Sequence, residues 1–180
     1  MTDAEIIGLV ASRDRRAFDE LYDRYAQIIF NLCIRILKKE TDAQDVMQEI
    51  FVQVWRDAGR FDPGRASVKT WLFTIARSRS LDRYRSRKAV ETRIEGSEDD
   101  LSNLPIGKDL QESSVTQQYV HHALSQLSGE QRLVLELSYY EGLTQEEIAE
   151  QLGEPLGTIK SRIRSALIKL RGFLAGGKSE

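Results

Sequence analysis

Apolar residues recur at threes and fours along almost the whole chain, and no segment alternates strictly between apolar and polar positions, so the pattern predicts an all-α protein. Residues 3–11 make a short amphipathic helix. Asp14 can accept amide protons at the start of a longer helix over 15–38, in which Phe18, Leu21, Tyr22, Tyr25, Ile28, Ile29 and Leu32 supply the buried stripe. Thr41 and Gln44 have capping-box spacing and predict a helix from Asp42 to about Ala58, with Val46, Met47, Ile50, Phe51, Val54 and Trp55 inward. Residues 59–66, GRFDPGRA, hold two glycines and a proline and predict a loop. Ser67 can cap the next helix, Val68 to about Lys88, which carries Trp71, Leu72, Ile75 and Ala76 inward. These four helices predict a first small domain over 1–89.

Composition then changes. Residues 90–113 are acidic, rich in Ser and Gly and poor in large apolar groups, so they cannot bury enough surface to offset the entropy of ordering and predict a flexible linker. A helix near 114–127 follows, then a helix capped by Ser128 and Gln131 that ends near Tyr140. In the next stretch, TQEEIAEQLGEPLGTIKSRIRSALIKLR at 144–171, Thr144 and Glu147 form another capping box, and Ile148, Ala149 and Leu152 give a buried face. Gly153 can end that helix in the left-handed conformation, and Pro155 suits the first turn of another starting near Leu156. At about 100° per residue, Ile159, Ile163, Ala166, Leu167 and Leu170 share one face of it. Ser161, Arg164 and Ser165 lie opposite, flanked by Lys160 and Arg162.

Two helices, a tight turn and a cationic outer face are the outline of a helix-turn-helix. Arg and Lys can donate to guanine acceptors in the major groove, Ser can bond several base edges, and flanking cations can neutralise phosphates. The same residues also suit an ordinary amphipathic helix with a solvated basic face, and the rest of the chain must decide between the two. This second domain spans 114–174, and residues 175–180 are expected to form a disordered tail.

The net charge of −2 conceals a division. Residues 1–90 carry 17 Lys and Arg against 13 Asp and Glu, residues 91–120 carry 2 against 7, and residues 121–180 carry 7 against 8. A protein that grips DNA unaided usually has a stronger basic excess, because phosphate neutralisation supplies most non-specific affinity. Binding with the help of a partner is the expectation. No apolar run reaches the length of a membrane span, and the N-terminus lacks the basic-then-apolar order of a secretory signal, which predicts a cytoplasmic protein without membrane insertion. Cys33 is the single cysteine, so neither an internal disulfide nor a cysteine metal cluster is expected, and its apolar setting predicts a small buried hydrophobe. His121 and His122 are neighbours whose side chains diverge on a helix, poor geometry for one metal, and suit the surface or an interface. No phosphate loop, metal-spaced cluster or nucleophile-base arrangement is present, so no enzymatic activity, cofactor, metal or small-molecule substrate is expected.

Three motifs in order, DAQDVMQEIFVQVW at 42–55, FDPGRASVKTWLFTIARSRSLDRYRSR at 61–87 and LTQEEIAEQLGEPLGTIKSRI at 143–163, resemble bacterial RNA polymerase sigma factors, and most closely the two-domain extracytoplasmic-function group. The resemblance runs from about Asp3 to Arg171 apart from the linker, and it implies a four-helix region 2 domain and a helix-turn-helix region 4 domain. It implies docking of Asp45, Gln48, Glu49 and Val52 on the clamp helices of the polymerase's largest subunit. An apolar Val52 on a charged face already suggests a contact surface. Phe61, Arg65, Ser78, Arg79, Arg83 and Arg87 correspond to the part that recognises and opens the minus-10 element. Arg79, Arg83 and Arg87 form a basic stripe, and Ser78 stands where many relatives have Asn. Thr158, Lys160, Ser161, Arg162, Arg164 and Ser165 correspond to minus-35 contacts, with Thr158 and Arg162 on phosphates. The resemblance also implies a contact to the polymerase flap and control by an anti-sigma factor. Two other classes compete with it: a free-standing helix-turn-helix regulator that binds duplex DNA tightly by itself, and an adaptor of helical bundles that would leave the basic faces without purpose.

Overall fold

The computed structural model describes residues 1–94 and 122–176, with side chains over 1–90 and 122–173, and divides into two units, Met1–Gly96 and Ser97–Glu180. The first unit contains α1 (Asp3–Ala11), α2 (Arg15–Leu37), α3 (Glu40–Asp57), a 3-10 turn at Ala58–Arg60 and α4 (Val68–Ile94). Its regular elements are all helical, as the periodicity predicts. Thr2 and Glu5 form a reciprocal capping box on α1, which buries Ile6, Ile7 and Val10. Asp14 caps α2 by accepting from the Ala17 amide at 3.0 Å.

The buried line of α2 is Ala17, Leu21, Tyr25, Ile29, Leu32, Cys33, Ile36 and Leu37. Tyr22 and Ile28, expected inward, are exposed, because the partner helices cover a narrower arc of α2 than its apolar stripe spans. Lys38 ends α2 in the left-handed conformation at φ 56° and turns the chain so soon that α3 starts at Glu40. The Thr41 and Gln44 capping box is therefore not formed. Thr41 lies inside the first turn, and Lys39 takes the cap position without a side-chain hydrogen bond.

Ser67 does cap α4, accepting from the Thr70 amide at 3.1 Å. The fully buried row of α4 is Val68, Leu72, Ala76 and Ser80, at fours, whereas Trp71 and Ile75 are only half-buried. Ser80 donates to the Cys33 sulfur at 3.4 Å, which pairs a fully buried hydroxyl with the buried thiol, and burial pushes the Cys33 pKa up. Helix α4 continues to Ile94, past the expected end near Lys88, since nothing from Ala89 to Ile94 breaks a helix.

The second unit is helical at 122–125 and then forms α5 (Gly129–Tyr139), α6 (Gln145–Leu152) and α7 (Leu156–Gly176). The expected helix near 114–127, most of the linker, His121 and most of the tail lie outside the described residues. Ser128 and Gln131 form their capping box, each side chain 3.2 Å from the other's amide. Val134 and Leu137 of α5, Ile148 of α6, and Ile159 and Ile163 of α7 make the core, flanked by Leu135, Leu143, Ala149 and Leu152. Leu167 is exposed and Leu170 half-buried, against expectation. The reason is length: α5 and α6 have 11 and 8 residues and cannot flank all 21 of α7.

Candidate nucleic-acid interface

The turn between α6 and α7 forms as its residues require. The Thr144 amide donates to Glu147 at 2.6 Å and the Glu147 amide to the Thr144 hydroxyl at 3.2 Å, so α6 starts with two orphan donors satisfied. Gly153 ends it at φ 64°, a conformation in which a side chain is strained, and the Glu154 amide returns to the Ala149 carbonyl at 3.0 Å. The Pro155 carbonyl then accepts from Thr158 and Ile159, opening α7.

With Ile159, Ile163 and Ala166 buried, α7 turns Lys160, Ser161 and Arg164 outward, all three exposed. The Ser161 hydroxyl donates to the Thr158 carbonyl at 2.9 Å, leaving its oxygen as an outward acceptor, and Thr158 is half-buried. Arg162 and Ser165 are placed differently from the expectation. The Arg162 guanidinium lies 3.2 Å from Glu130 and 3.0 Å from Glu154, and its side chain is only 19% exposed. Ser165 accepts from Gln131 at 2.8 Å and donates to the Arg162 carbonyl. A helical wheel of α7 alone cannot register α5, which supplies Glu130 and Gln131 from some thirty residues earlier in the chain.

On α3, Asp45, Gln48, Glu49 and Val52 are all exposed, and Val52 is 65% exposed although apolar. They form one edge, opposite Val46, Ile50 and Val54, which are fully buried.

The basic stripe of α4 does share one face, as its spacing of four demands, but that face is turned toward α3. Arg79 donates to Gln53 at 2.7 Å, Arg83 to Glu49 at 2.6 Å and Arg87 to Asp42 at 2.9 Å. The three arginines are half-buried in this ladder. Glu49, expected to face polymerase, and Arg83, expected to face DNA, are thus partners. The spacing of Asp42, Glu49 and Gln53 along α3 was the available signal, but it names no partner until the two helices are placed side by side.

The loop ahead of α4 is closed locally: Asp62 accepts from the Gly64 amide at 2.8 Å, and the Arg65 amide reaches the Asp62 carbonyl at 3.1 Å. Phe61 packs its ring on Trp71, centroids 5.6 Å apart, so Trp71 braces the loop as well as the helix bundle. Arg65, within the loop between these two aromatic residues, and Ser78, two turns beyond Trp71 on α4, are both exposed. His122 is exposed, its ring nearly perpendicular to that of Phe173. Among the described residues no group of three or more His, Cys, Asp or Glu side chains could hold a metal ion, and no helix is long and apolar enough to cross a membrane.

Comparison with known proteins assigns both units. The Sigma-70 region 2 family matches residues 21–90, and the Sigma-70, region 4 family matches residues 123–172. The chain is 35% identical over 177 residues to the ECF RNA polymerase sigma factor SigK of Mycobacterium tuberculosis (strain ATCC 25618 / H37Rv), covering 94% of this chain and 91% of that one. It is 36% identical over 177 residues to the protein of the same name from Mycobacterium sp. (strain KMS), covering 96% and 91%. Among solved structures, that of Rhodobacter sphaeroides SigE in complex with the anti-sigma ChrR is 33% identical, covers 95% of this chain and 97% of that chain, and superposes with a TM-score of 0.48. By both matched regions and by relatives aligned over nearly its whole length, the chain belongs to the sigma-70 family, in its extracytoplasmic-function group.

Proposed function

We propose that the chain is the promoter-specificity subunit of RNA polymerase, binding the core enzyme, recognising a minus-35 and a minus-10 element, and helping to open the duplex at the latter. The observation that carries this reading is the row Lys160, Ser161 and Arg164, exposed on a helix whose start is fixed by the Thr144 cap and the Gly153 turn. These side chains can reach base edges in a major groove, and Arg164 can bond guanine through two donors. Thr158 lies at the start of the same helix, where amides and a hydroxyl suit a phosphate.

In this reading the exposed edge of α3, with Asp45, Gln48, Glu49 and Val52, docks on the polymerase clamp helices, carboxylates meeting basic groups and Val52 meeting an apolar spot. Phe61, Arg65, Ser78, Arg79, Arg83 and Arg87 serve the minus-10 element, the cations tracking phosphates and the loop receiving an unstacked base. The chain supplies recognition only, and nucleotide transfer belongs to the polymerase, so the protein acts in the cytoplasm and needs no cofactor of its own. Control by an anti-sigma factor that covers these surfaces, and a flap contact by the second unit, complete the reading.

Reconstitution tests it. Purified chain and core polymerase, mixed with a promoter library, are expected to initiate on a subset that shares two elements at fixed spacing, while the chain alone retains duplex DNA weakly. Tight sequence-specific binding by the chain alone would favour a free-standing regulator.

A further inference from the structure

We infer that Arg162 is a positioning residue for promoter recognition: held by Glu130 and Glu154, it sets the attitude of α7 toward DNA and makes no phosphate contact itself. This inference rests on the proposal that α7 reads the minus-35 element.

Three observations carry it. Arg162 joins three parts of the unit at once, because its own backbone is in α7, Glu130 is in the first turn of α5 and Glu154 is in the turn after α6. The guanidinium offers donors in a rigid planar fork, and two of its nitrogens already face carboxylate oxygens at 3.2 and 3.0 Å. A phosphate brought to that side would meet two negative groups. Finally, the guanidinium is withdrawn, whereas Lys160 and Arg164, the neighbours that can meet DNA, are exposed.

A second clasp lies further along the same helix. The Gln131 side chain donates to the Ser165 hydroxyl at 2.8 Å while its oxygen accepts from Lys169 at 3.2 Å and from the Ser128 amide at 3.2 Å. The apolar core of Val134, Leu137, Ile148, Ile159 and Ile163 decides which face of α7 is buried. Directional polar bonds on one side of that core fix the remaining few degrees of rotation and tilt, and with them how the outward side chains meet the groove. Glu130 is also favourably placed for its own helix, a carboxylate near the N-terminus of α5.

The test compares holoenzymes assembled from the full chain and core polymerase, carrying wild type, Arg162→Met, Glu130→Gln with Glu154→Gln, or Arg164→Ala. A selection over randomised minus-35 sequences reads base preference, and a salt series reads phosphate contacts. A positioning role predicts that Arg162→Met and the double Gln variant both lose discrimination between matched and mismatched minus-35 sequences, by roughly tenfold, with salt slopes equal to wild type. Arg162→Lys should recover part of the loss.

A phosphate role predicts the reverse for the carboxylates, since removing two negative charges from beside Arg162 would leave the guanidinium free for phosphate and tighten binding. The inference is overturned if the double Gln variant binds as well as or better than wild type with unchanged preference. It is also overturned if Arg162→Met lowers affinity equally on all sequences with a shallower salt slope. Should Arg162→Met fail to fold, the double Gln variant still decides, because it alters side chains that reach solvent. Wild type and Arg164→Ala separate the two levels: if wild type itself enriches no minus-35 sequence, α7 does not read the element and the failure is that of the functional proposal, whereas unchanged preference in Arg164→Ala removes that one residue from direct readout.

Discussion

Arg83 of α4 donates to Glu49 of α3 at 2.6 Å, so a cation proposed for minus-10 DNA and a carboxylate proposed for the polymerase neutralise one another in the free chain. Both side chains are partly exposed, so the pair contributes little to folding, on the order of 1 kcal/mol or less. Its effect is expected on binding instead. Glu49→Gln should strengthen the holoenzyme's grip on a single-stranded minus-10 oligonucleotide at low salt, and Arg83→Gln should weaken it. Fluorescence anisotropy over a salt series checks both. Equal affinities for wild type and Arg83→Gln would make Arg83 a scaffold residue only.

Val52 is 65% exposed and lies on the same edge of α3 as Asp45 and Gln48. Val52→Glu, or Asp45→Ala with Gln48→Ala, is therefore expected to leave the melting temperature nearly unchanged, as surface substitutions usually do. Association with core polymerase should weaken by tenfold or more, about 1.4 kcal/mol or above. Normal association by folded variants would move the polymerase contact to another face.

Tyr25 is buried and donates its hydroxyl to Asp3, and burial together with that carboxylate raises its pKa to about 12. In the unfolded chain the phenol titrates near 10. The folded state thus holds the proton more tightly, so the stabilisation is complete below about pH 10 and is lost as pH rises toward 12. Denaturant midpoints measured from pH 8 to 12 should fall more steeply for wild type than for Tyr25→Phe, about these titration points. Parallel curves would show that the hydroxyl titrates normally.

Local chemistry was legible in the sequence wherever it involves residues three or four apart. Thr144 with Glu147, Ser128 with Gln131, Asp14, Ser67 and the left-handed Gly153 all do what their spacing implies. The Thr41 and Gln44 box has the same spacing and fails, because Lys38 takes a left-handed conformation that rarely suits a lysine and so advances the helix start. Residues whose role depends on another helix escaped the sequence. On a wheel Arg162 is a flanking cation free to meet phosphate, and only the placement of α5, which brings Glu130 to it, shows that its guanidinium is already engaged. Likewise the arginine stripe of α4 has the predicted period, but only the packing of α3 decides that it faces Asp42, Glu49 and Gln53.

In the proposed holoenzyme, α7 reads promoter bases once the chain is joined to core polymerase. The most direct measurement is in vitro transcription from a library randomised at the minus-35 element, comparing holoenzymes containing wild type and Arg164→Ala, with initiating templates sequenced. Wild type should enrich a defined minus-35 sequence, and Arg164→Ala should lose preference at one position, by roughly 1–3 kcal/mol if the arginine makes a two-donor guanine contact, while keeping the rest. Identical enrichment by the two proteins, or no initiation by either, would contradict the account.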